Sequence, residues 1–492
     1  MSNSGSSSEN WGSSCESSDS SAALERLESP FKYIPGGYHP LKIGDELHNG
    51  RYLILHRLGH GGYSTVWLAL DRSYDDSGPP DPLHPRYVAV KIVSASRGQQ
   101  EVRFHNELQN LFQSRLEGPS SPGHYRDESS YIVSLLDSFQ ISGPNGSHYC
   151  LVTEVLGPTA AEIHSYQAIE AKYVLPLPLA RSAAMQCAEA LALLHSHGIV
   201  HAGMLRHRAG VLLPVGQLTG CIIDLHMRNI VFCLTADINS WTVEKLYEAL
   251  GGEPVKIPFF ASPEPAPYKA PRLNSIPPIH QPEYLVATPS VAHLWALCTA
   301  SEPRIRLIDF SESFRLPFHP ESQHLPGTPC DFAAPELLLK LPAEVTFSID
   351  IWALGCTIFH LLGHGSPFTV PNGHLPRLLA LMAVRAGGND NMPEVFWRAF
   401  SEIPNLTFWF EQYRTSLKRF ASWDYGSRGQ FGRAAYFYPN LKPFGVVDHM
   451  VLKAVIAAAL VVDPAKRQPA RKILEIMREG WGEAMEEPHM VI

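Results

Sequence analysis

The chain has 492 residues and a formal net charge of -8 at pH 7, with 45% hydrophobic and 18% charged residues. This length is too great for one small domain and suits a two-lobed enzyme with tails. The acidic balance argues against direct nucleic-acid binding, and no apolar run is long enough to span a bilayer. We therefore expect a soluble, monomeric protein of the cytoplasm, the nucleus or both, which binds no membrane.

The first 30 residues are rich in Ser and poor in apolar side chains. Such a composition cannot offset the entropic cost of ordering the chain. The sequence therefore predicts a disordered tail at 1–30 and an ordered region from Phe31 onward.

A glycine-containing hairpin is the first candidate site. The segment from Arg51 to Leu58 alternates as a strand does, and a second apolar strand runs through Val66 to Leu70. The candidate nucleotide contacts here are Leu58, Gly59, His60, Gly61, Gly62, Tyr63, Ser64 and Val66, with Ser64 at the third glycine position of the kinase pattern. Residues without a Cβ let backbone amides approach nucleotide phosphates closely, although the pattern alone predicts only an ordinary hairpin.

A lysine on a β-rich strand follows the hairpin. Residues 87–92 contain Ala89 and Lys91 in the V-A-x-K pattern of protein kinases, where the lysine binds the nucleotide phosphates. Glu107 lies 16 residues beyond Lys91 in a segment with helical periodicity. We assign Glu107 as the carboxylate that holds Lys91, with Glu101 as the alternative.

Two further strands are predicted at 131–140 and 148–155, joined by a Gly- and Pro-containing turn. The second strand runs into Thr153, Glu154 and Leu156, which we expect to contact the adenine ring of ATP. A long helix rich in Ala and Leu is predicted next, at 179–197.

The helix leads to His201, and Asp224, His226 and Asn229 follow after an interruption. A His, an Asp and an Asn five residues after the Asp are typical of the catalytic loop of eukaryotic protein kinases. In that loop the Asp accepts the proton of the substrate hydroxyl and the Asn binds magnesium. Asp309, in a D-F-S sequence, is the second expected magnesium ligand.

Later motifs agree with this interpretation. Glu336 ends an A-P-E sequence, Asp350 lies in a predicted central helix and is expected to steady the catalytic-loop backbone, and Arg467 is the expected buried partner of Glu336. The pair is predicted to have a structural role.

The chain resembles the SR-protein kinase family over roughly residues 31–485, and the resemblance is specific in the first lobe. The resemblance rests on Gly36-Gly37-Tyr38-His39-Pro40, on the hairpin and on Val133 to Phe139. It implies an α+β, bilobal protein-kinase fold with a small β-rich lobe at 31–156 and a larger, mainly helical lobe at 157–485. It also implies ATP and Mg²⁺ as cofactors and Ser/Thr phosphorylation of proteins, including Arg/Ser-rich splicing factors.

An insert at 233–303, Pro-rich in its middle, is expected to be largely irregular.

We call His201-Ala202 together with Asp224 to Asn229 the catalytic phrase. It is interrupted by 21 residues, 203–223, and their removal would join Ala202 directly to Asp224. Gly203-Met204 and Ile223-Asp224 can be encoded by codons that contain a splice donor and an acceptor. We interpret the segment as a retained intron or a gene-model error, and a genuine insertion loop is the alternative. A misplaced catalytic Asp costs about a hundredfold in rate per ångström.

Three substitutions also depart from the kinase pattern: Ala202 replaces an Arg, His226 replaces a Lys, and Ser311 replaces the Gly of D-F-G. The split loop together with Ala202 and Ser311 motivates a second hypothesis, a pseudokinase or ATP-binding scaffold. His226 alone motivates a third, a kinase of small molecules, because small-molecule phosphotransferases share the D-x-H-x-x-N pattern.

Overall fold

The elements follow the periodicity of the sequence in most places. A computed structural model describes residues 26–75, 77, 81, 83–95, 102, 104, 106, 131–169, 175–202, 225–259, 277–298, 303–311, 313–317, 332–364, 367–368, 375–386, 393–418 and 446–485. Glu101, Glu107, Asp224, the segment 203–223 and most of the predicted tail lie outside the described residues.

The strands are short and rich in β-branched and aromatic residues. They are β1 (Glu46–Leu47), β2 (Tyr52–His60), β3 (Ser64–Asp71), β4 (Tyr87–Val93), β5 (Leu135–Gly143), β6 (Gly146–Glu154), β7 (Leu156–Thr159), β8 (Ile199–Val200), β9 (Ile230–Cys233), β10 (Lys256–Pro258), β11 (Tyr284–Val286), β12 (Ile305–Leu307) and β13 (Phe314–Arg315).

The helices concentrate in the second half of the chain. They are α1 (Ala160–Ile169), α2 (Leu177–Ser196), α3 (Val243–Ala249), α4 (Val291–Ala296), α5 (Pro335–Leu338), α6 (Ser348–Phe359), α7 (Leu375–Ala386), α8 (Glu394–Ser401), α9 (Leu406–Lys418), α10 (Val446–Ala459) and α11 (Ala470–Met485). Within the part of the chain that the structure describes, none of these has the length and apolarity needed to cross a bilayer.

The chain divides into two units. The first contains the described residues of Met1–Gly98, Leu136–Val155 and Asp237–His293, and the second contains those of Gln99–Leu135, Leu156–Ala236 and Leu294–Ile492. The first unit is built on a six-stranded sheet in the order β1-β2-β3-β4-β6-β5. The second unit is mainly helical. A β-rich unit and a larger helical unit confirm the predicted α+β, bilobal kinase fold class.

The core of the first unit lies on one face of its sheet. Alternate residues of neighbouring strands, including Trp67, Val90 and Val152, are almost completely buried in one cluster. Because successive side chains of a strand point to opposite faces, the residues between them face the other side of the sheet. That other face carries four of the predicted nucleotide contacts, Val66, Ala89, Lys91 and Thr153.

The expectation of an irregular insert at 233–303 is wrong for its described parts. Thr242 caps α3 through its side chain, and β10 pairs with β11 in an antiparallel ladder. The Tyr247 hydroxyl donates to the Leu55 carbonyl at 3.0 Å, and Val286 is buried in the sheet core. Tertiary packing outweighs the Pro-rich composition here.

The same contacts correct the predicted lobe boundary. The described insert residues within 237–293 belong to the first unit, whereas the sequence predicted the insert as part of the lobe at 157–485. The physical reason is that the insert packs on the face of the six-stranded sheet that carries Trp67, Val90 and Val152, where Val286 of the insert joins their buried cluster.

In the second unit, the long helix α2 contributes a nearly continuous buried surface of Ala and Leu. It confirms the helix predicted at 179–197. Strands β12, β9 and β7 form a three-stranded sheet, and β13 pairs with β8. These two small sheets position the residues before and after the split catalytic phrase.

Candidate active site

The glycine hairpin lies between β2 and β3, as predicted. The Gly61 amide donates to the Ser64 carbonyl at 2.9 Å, which closes the tip. A Cβ added to Gly59 would meet no heavy atom within 4 Å, so this stretch of backbone has the open space that a phosphate group requires. Ser64, at the third glycine position of the kinase pattern, is buried.

Strand register brings the predicted nucleotide contacts into rows. Gly59 pairs with Val66, and Val66 pairs with Lys91 on the next strand. In the neighbouring row, Ala89 pairs with Thr153. Because directly paired residues share a face of the sheet, Val66, Lys91, Ala89 and Thr153 form one surface, opposite the buried core. The residues present therefore suit a purine nucleotide with its phosphates toward the hairpin.

The other predicted nucleotide contacts lie outside these two rows. Leu58 is half-buried in β2, and His60 ends that strand with an exposed side chain. The Tyr63 carbonyl accepts from the Ser94 amide at 2.8 Å. Glu154 accepts from Thr153 Oγ1 through its carbonyl at 3.2 Å. Leu156 belongs to the second unit, where it pairs with Cys233.

In the second unit, Asp350 holds the backbone at the start of the catalytic phrase. Its two carboxylate oxygens accept from the amides of His201 at 2.8 Å and of Ala202 at 3.0 Å, and His195 Nε2 lies 2.9 Å from Oδ2. Burial opposes ionisation of Asp350, but the hydrogen bonds and charge of its partners prevail and lower its pKa. The predicted steadying role of Asp350 is confirmed.

The His201 ring packs among aromatic residues. It meets the Phe310 ring edge-on at 4.9 Å, and Phe310 in turn stacks on Phe104 at 6.0 Å. The Ser313 hydroxyl donates to the His201 carbonyl at 2.7 Å. Burial lowers the pKa of His201, so its imidazole is neutral at pH 7. This packing fixes Asp309, which directly precedes Phe310.

The phrase is also anchored after the interruption. The Leu225 carbonyl accepts from Thr357 Oγ1 on α6, and the Met227 carbonyl accepts from the Ala161 amide on α1, each at 3.0 Å. Both flanks of the segment 203–224 are thus held within the second unit by side chains and backbone of its helices.

The two expected magnesium ligands lie at the same end of one ladder. Leu307 pairs with Ile230, and the Ile308 amide donates to the Asn229 carbonyl at 3.0 Å. Asn229 and Asp309 therefore occupy successive positions at that end. An amide oxygen and a carboxylate oxygen are ligands that suit Mg²⁺, so Asn229 and Asp309 would be able to hold this ion. Asp309 has a φ of +66°, a left-handed conformation that is uncommon for a residue with a side chain.

The three departures from the kinase pattern differ in their surroundings. His226 is 6% exposed, lies 6.3 Å from the Phe332 ring, and has its pKa lowered to about 3 by burial and by the charge of Arg228. Its imidazole is therefore neutral at pH 7 and carries no substitute for the lysine charge. Ala202 has a φ of +46°, whereas Ser311 is not among the described residues with positive φ.

The predicted buried pair of Glu336 and Arg467 is confirmed. Arg467 donates from Nη1 and Nη2 to the two carboxylate oxygens of Glu336 at 2.6 and 2.8 Å, and both side chains are fully buried. This bidentate geometry is the strongest form of such a pair.

Several residues that contact the candidate site were not predicted from the sequence. Phe104, Ser313 and Thr357 act on the catalytic phrase, while Lys32 and Tyr38 contact the glycine hairpin. A signal was present only for Tyr38, in the Gly36-Gly37-Tyr38 sequence. The predicted pairing of Lys91 with Glu107 and the role of Asp224 stay predictions, because Glu107 and Asp224 lie outside the described residues.

The chain is similar in sequence to several curated protein kinases over part of its length. No family model matches the chain. SRSF protein kinase 3 of Homo sapiens is 35% identical over 219 residues, which are 44% of this chain and 33% of the relative. Protein kinase dsk1 of Schizosaccharomyces pombe is 36% identical over 176 residues, 35% of this chain and 29% of the relative. Serine/threonine-protein kinase SRPK of Physarum polycephalum is 38% identical over 168 residues, 33% of this chain and 34% of the relative.

A solved kinase-domain structure aligns with 89% of this chain and 97% of its own, at 15% identity and a TM-score of 0.47. The matches to the curated relatives span about a third of the length of those proteins. Over the matched residues, the chain is similar to these three kinases at 35–38% identity.

Proposed function

We propose that the chain is a serine/threonine protein kinase that transfers the γ-phosphoryl group of ATP to protein hydroxyls, including those of Arg/Ser-rich proteins. The observation that carries the proposal is the surface of Val66, Ala89, Lys91 and Thr153 beside an open glycine hairpin. A β-sheet face of this composition suits a purine and its phosphates, and the relatives are named as protein kinases.

Each residue has a distinct part in the proposed reaction. Lys91 and the hairpin amides orient the phosphates, and Glu107 orients Lys91. Asp224 accepts the proton of the attacking hydroxyl, while Asn229 and Asp309 hold Mg²⁺. Bound Mg²⁺ would neutralise the charge that develops on the transferred group. The chemistry is positioning and electrostatics, so these groups must converge during turnover.

The alternative proposal is an ATP-binding scaffold without phosphoryl transfer. It is favoured by the interruption at 203–223 and by the neutral, buried His226. Against it, the residues on both sides of the interruption are anchored as an active loop requires. Sequencing of the transcript across codons 190–235 would establish whether the segment is present in the mature protein.

The deciding experiment measures phosphate transfer to an Arg/Ser peptide, with an Arg/Ala peptide as the substrate control. The full chain and a form lacking 203–223 are compared, each with and without Asp224→Asn. Transfer that needs both the peptide serines and Asp224 supports the kinase. Nucleotide binding by both forms without any transfer supports the scaffold. Transfer to amino sugars and not to the peptide would instead identify a small-molecule kinase.

A further inference from the structure

The sequence Gly36-Gly37-Tyr38 has no part in the proposed reaction, yet it builds a tight turn. We call residues 30–40 the GGY segment. Its Gly37 amide donates to the Ile34 carbonyl at 2.7 Å, and its Tyr38 amide donates to the Lys32 carbonyl at 2.8 Å. A Cβ on Gly37 would lie 2.0 Å from the Lys32 carbonyl oxygen, and Gly36 has a φ of +81°. The turn therefore requires glycine at both positions.

The turn brings two polar side chains to the tip of the glycine hairpin. The Tyr38 hydroxyl donates to the Gly61 carbonyl, and Lys32 Nζ donates to the carbonyls of Gly61 at 3.2 Å and Gly62 at 3.0 Å. Lys32 Nζ also donates to the Tyr38 hydroxyl at 2.9 Å. The two side chains form one network on two successive carbonyls.

The network is supported from behind by an aromatic cluster. Tyr38 is 2% exposed and packs edge-on against Tyr33 at 5.7 Å, and Tyr33 packs against Phe259 at 6.0 Å. Leu285 completes this cluster. Tyr38 is therefore held by the insert as well as by its own segment, and its hydroxyl has little freedom to leave Gly61.

Holding these carbonyls sets the direction of the hairpin amides. In a trans peptide the N–H points away from the C=O of the same peptide unit. The amides of Gly62 and Tyr63 share their peptide units with the carbonyls of Gly61 and Gly62. When those carbonyls face the GGY segment, the two amides face away from it.

We propose that Lys32 and Tyr38 are positioning residues that preset the glycine hairpin to bind the phosphate chain of a nucleotide. The inference rests on the proposed nucleotide binding and adds to it a device outside the kinase motifs. A preset hairpin loses less conformational freedom when phosphates bind to it. The two side chains should therefore raise the affinity for the phosphate groups and leave the affinity for the base unchanged.

The test uses the full chain and compares Tyr38→Phe and Lys32→Met with the wild type. Ser29→Ala is the matched control, since Ser29 is exposed and caps no helix through its side chain. Dissociation constants are measured for MgATP and for adenosine, which lacks phosphates. Hydrogen exchange of residues 59–65 is followed without ligand. Thermal unfolding verifies that each variant is folded.

We expect Tyr38→Phe and Lys32→Met each to raise the Kd for MgATP about threefold to tenfold, the value of one hydrogen bond. The Kd for adenosine should stay the same, and the amides of 59–65 should exchange faster. Ser29→Ala should match the wild type in all three measurements.

Equal increases for MgATP and adenosine, or unchanged exchange at 59–65, would overturn the positioning role. An effect of Lys32→Met alone that disappears at high salt would replace it with a direct charge effect. A wild-type chain that binds no MgATP contradicts the proposed function itself. A chain that binds MgATP without phosphate transfer leaves this inference supported if the variants behave as expected.

Discussion

Arg467 is a buried cation, and Glu336 is the one carboxylate that pairs with it in the part of the chain that the structure describes. Besides the two bonds to Glu336, it donates to the carbonyls of Ser348, Val461 and Val462, and its guanidinium lies 4.9 Å from the Trp352 ring centroid. Loss of the partner charge would leave this cation uncompensated inside the protein. Such a loss costs far more than the intact pair contributes relative to apolar residues.

We therefore predict that Glu336→Gln lowers the free energy of unfolding of the second unit by about 3 to 5 kcal/mol. The measurement is urea denaturation followed by tryptophan fluorescence, since Trp352 stacks on the guanidinium. Lys472→Met, which removes an exposed pair with Glu475, is the control and should leave the midpoint unchanged. A midpoint equal to that of the wild type for Glu336→Gln would show that the cation is solvated after all.

Unlike Glu336, Asp350 contacts the catalytic phrase directly, because it accepts hydrogen bonds from the amides of His201 and Ala202. In Asp350→Asn an amide group replaces one acceptor oxygen and faces the donors of His201, Ala202 or His195. Displacement of the loop should lower kcat on an Arg/Ser peptide by about tenfold to a hundredfold in the form lacking 203–223. The KM for ATP should change less than kcat, since the proposed contacts of Val66, Ala89, Lys91 and Thr153 with the nucleotide lie in the first unit.

The matched control for this rate effect is Asp448→Asn. Asp448 is equally buried and accepts two 2.7 Å bonds from Arg181, and among the described residues it has no hydrogen bond to the catalytic phrase. It should lower the unfolding midpoint without a matching loss of kcat. If both variants lowered kcat to the same extent, the loss would reflect general destabilisation and not loop position.

Residues whose spacing is fixed by chemistry could be predicted from the sequence. Lys91 lies in the β3–β4 ladder, and Asn229 and Asp309 lie just beyond the β9–β12 ladder, whereas the roles assigned to them stay predictions. Thr357 and Ser313 could not be predicted, because a hydroxyl that bonds a distant carbonyl leaves no periodic or spaced pattern. Their partners lie 132 and 112 residues away along the chain.

At the scale of elements, Asn145 joins the GGY segment to the insert. Its Nδ2 donates to the carbonyls of Tyr38 and His280, and its Oδ1 lies 2.6 Å from His280 Nδ1. The Asn145 side chain is 1% exposed, and its hydrogen bond to the Tyr38 carbonyl is buried. An unsatisfied buried polar group costs about 1 to 3 kcal/mol.

Asn145→Ala should therefore loosen both elements together. We expect faster hydrogen exchange in residues 30–40 and 277–286, because both lose their common anchor, and a loss of about 2 to 4 kcal/mol in the stability of the first unit. Exchange in β9 and β12 serves as the internal control and should not change. Faster exchange in only one of the two segments would mean that they are not coupled through Asn145.

The insert also shows why its structure could not be predicted from composition. Prolines at 258, 277 and 278 suggest irregular chain, yet Pro258 ends β10 and Pro277 and Pro278 begin a 3₁₀ turn. Proline is tolerated at such ends, where its missing N–H is not needed. The apolar contacts that order the insert, such as Val286 in the sheet core, are long-range and have no local signature.

Across the whole molecule, buried histidines link stability to pH. Burial lowers the pKa of His39, His56 and His360 to about 4 each. For His39 and His360 a neighbouring histidine contributes, at ring distances of 4.9 and 5.1 Å. In the unfolded chain the same groups have a pKa near 6.5. Between pH 6.5 and 4, the unfolded chain therefore binds protons that the folded protein does not.

The sign of the effect follows from that difference. Stability is complete above pH 6.5, and it falls as the pH drops, by up to about 1.4 kcal/mol per pH unit for each such histidine, until the folded pKa is reached. Asp71 and Asp350, whose pKa values lie below 3.8, lose their contributions only at more acidic pH. The window from pH 6.5 to 4 is thus governed by histidine.

His360→Phe tests this account, because His360 Nδ1 is buried without a hydrogen-bond partner among the described residues and its ring stacks on Phe332. Phenylalanine keeps the stacking and cannot bind a proton. We predict that unfolding free energies from urea titrations fall less in the variant than in the wild type between pH 8 and pH 5, by about 1 to 2 kcal/mol. Comparison of each protein with itself at pH 8 removes the effect of repacking. Equal losses in the two proteins would mean that His360 is protonated in the folded state and that the acid sensitivity has another source.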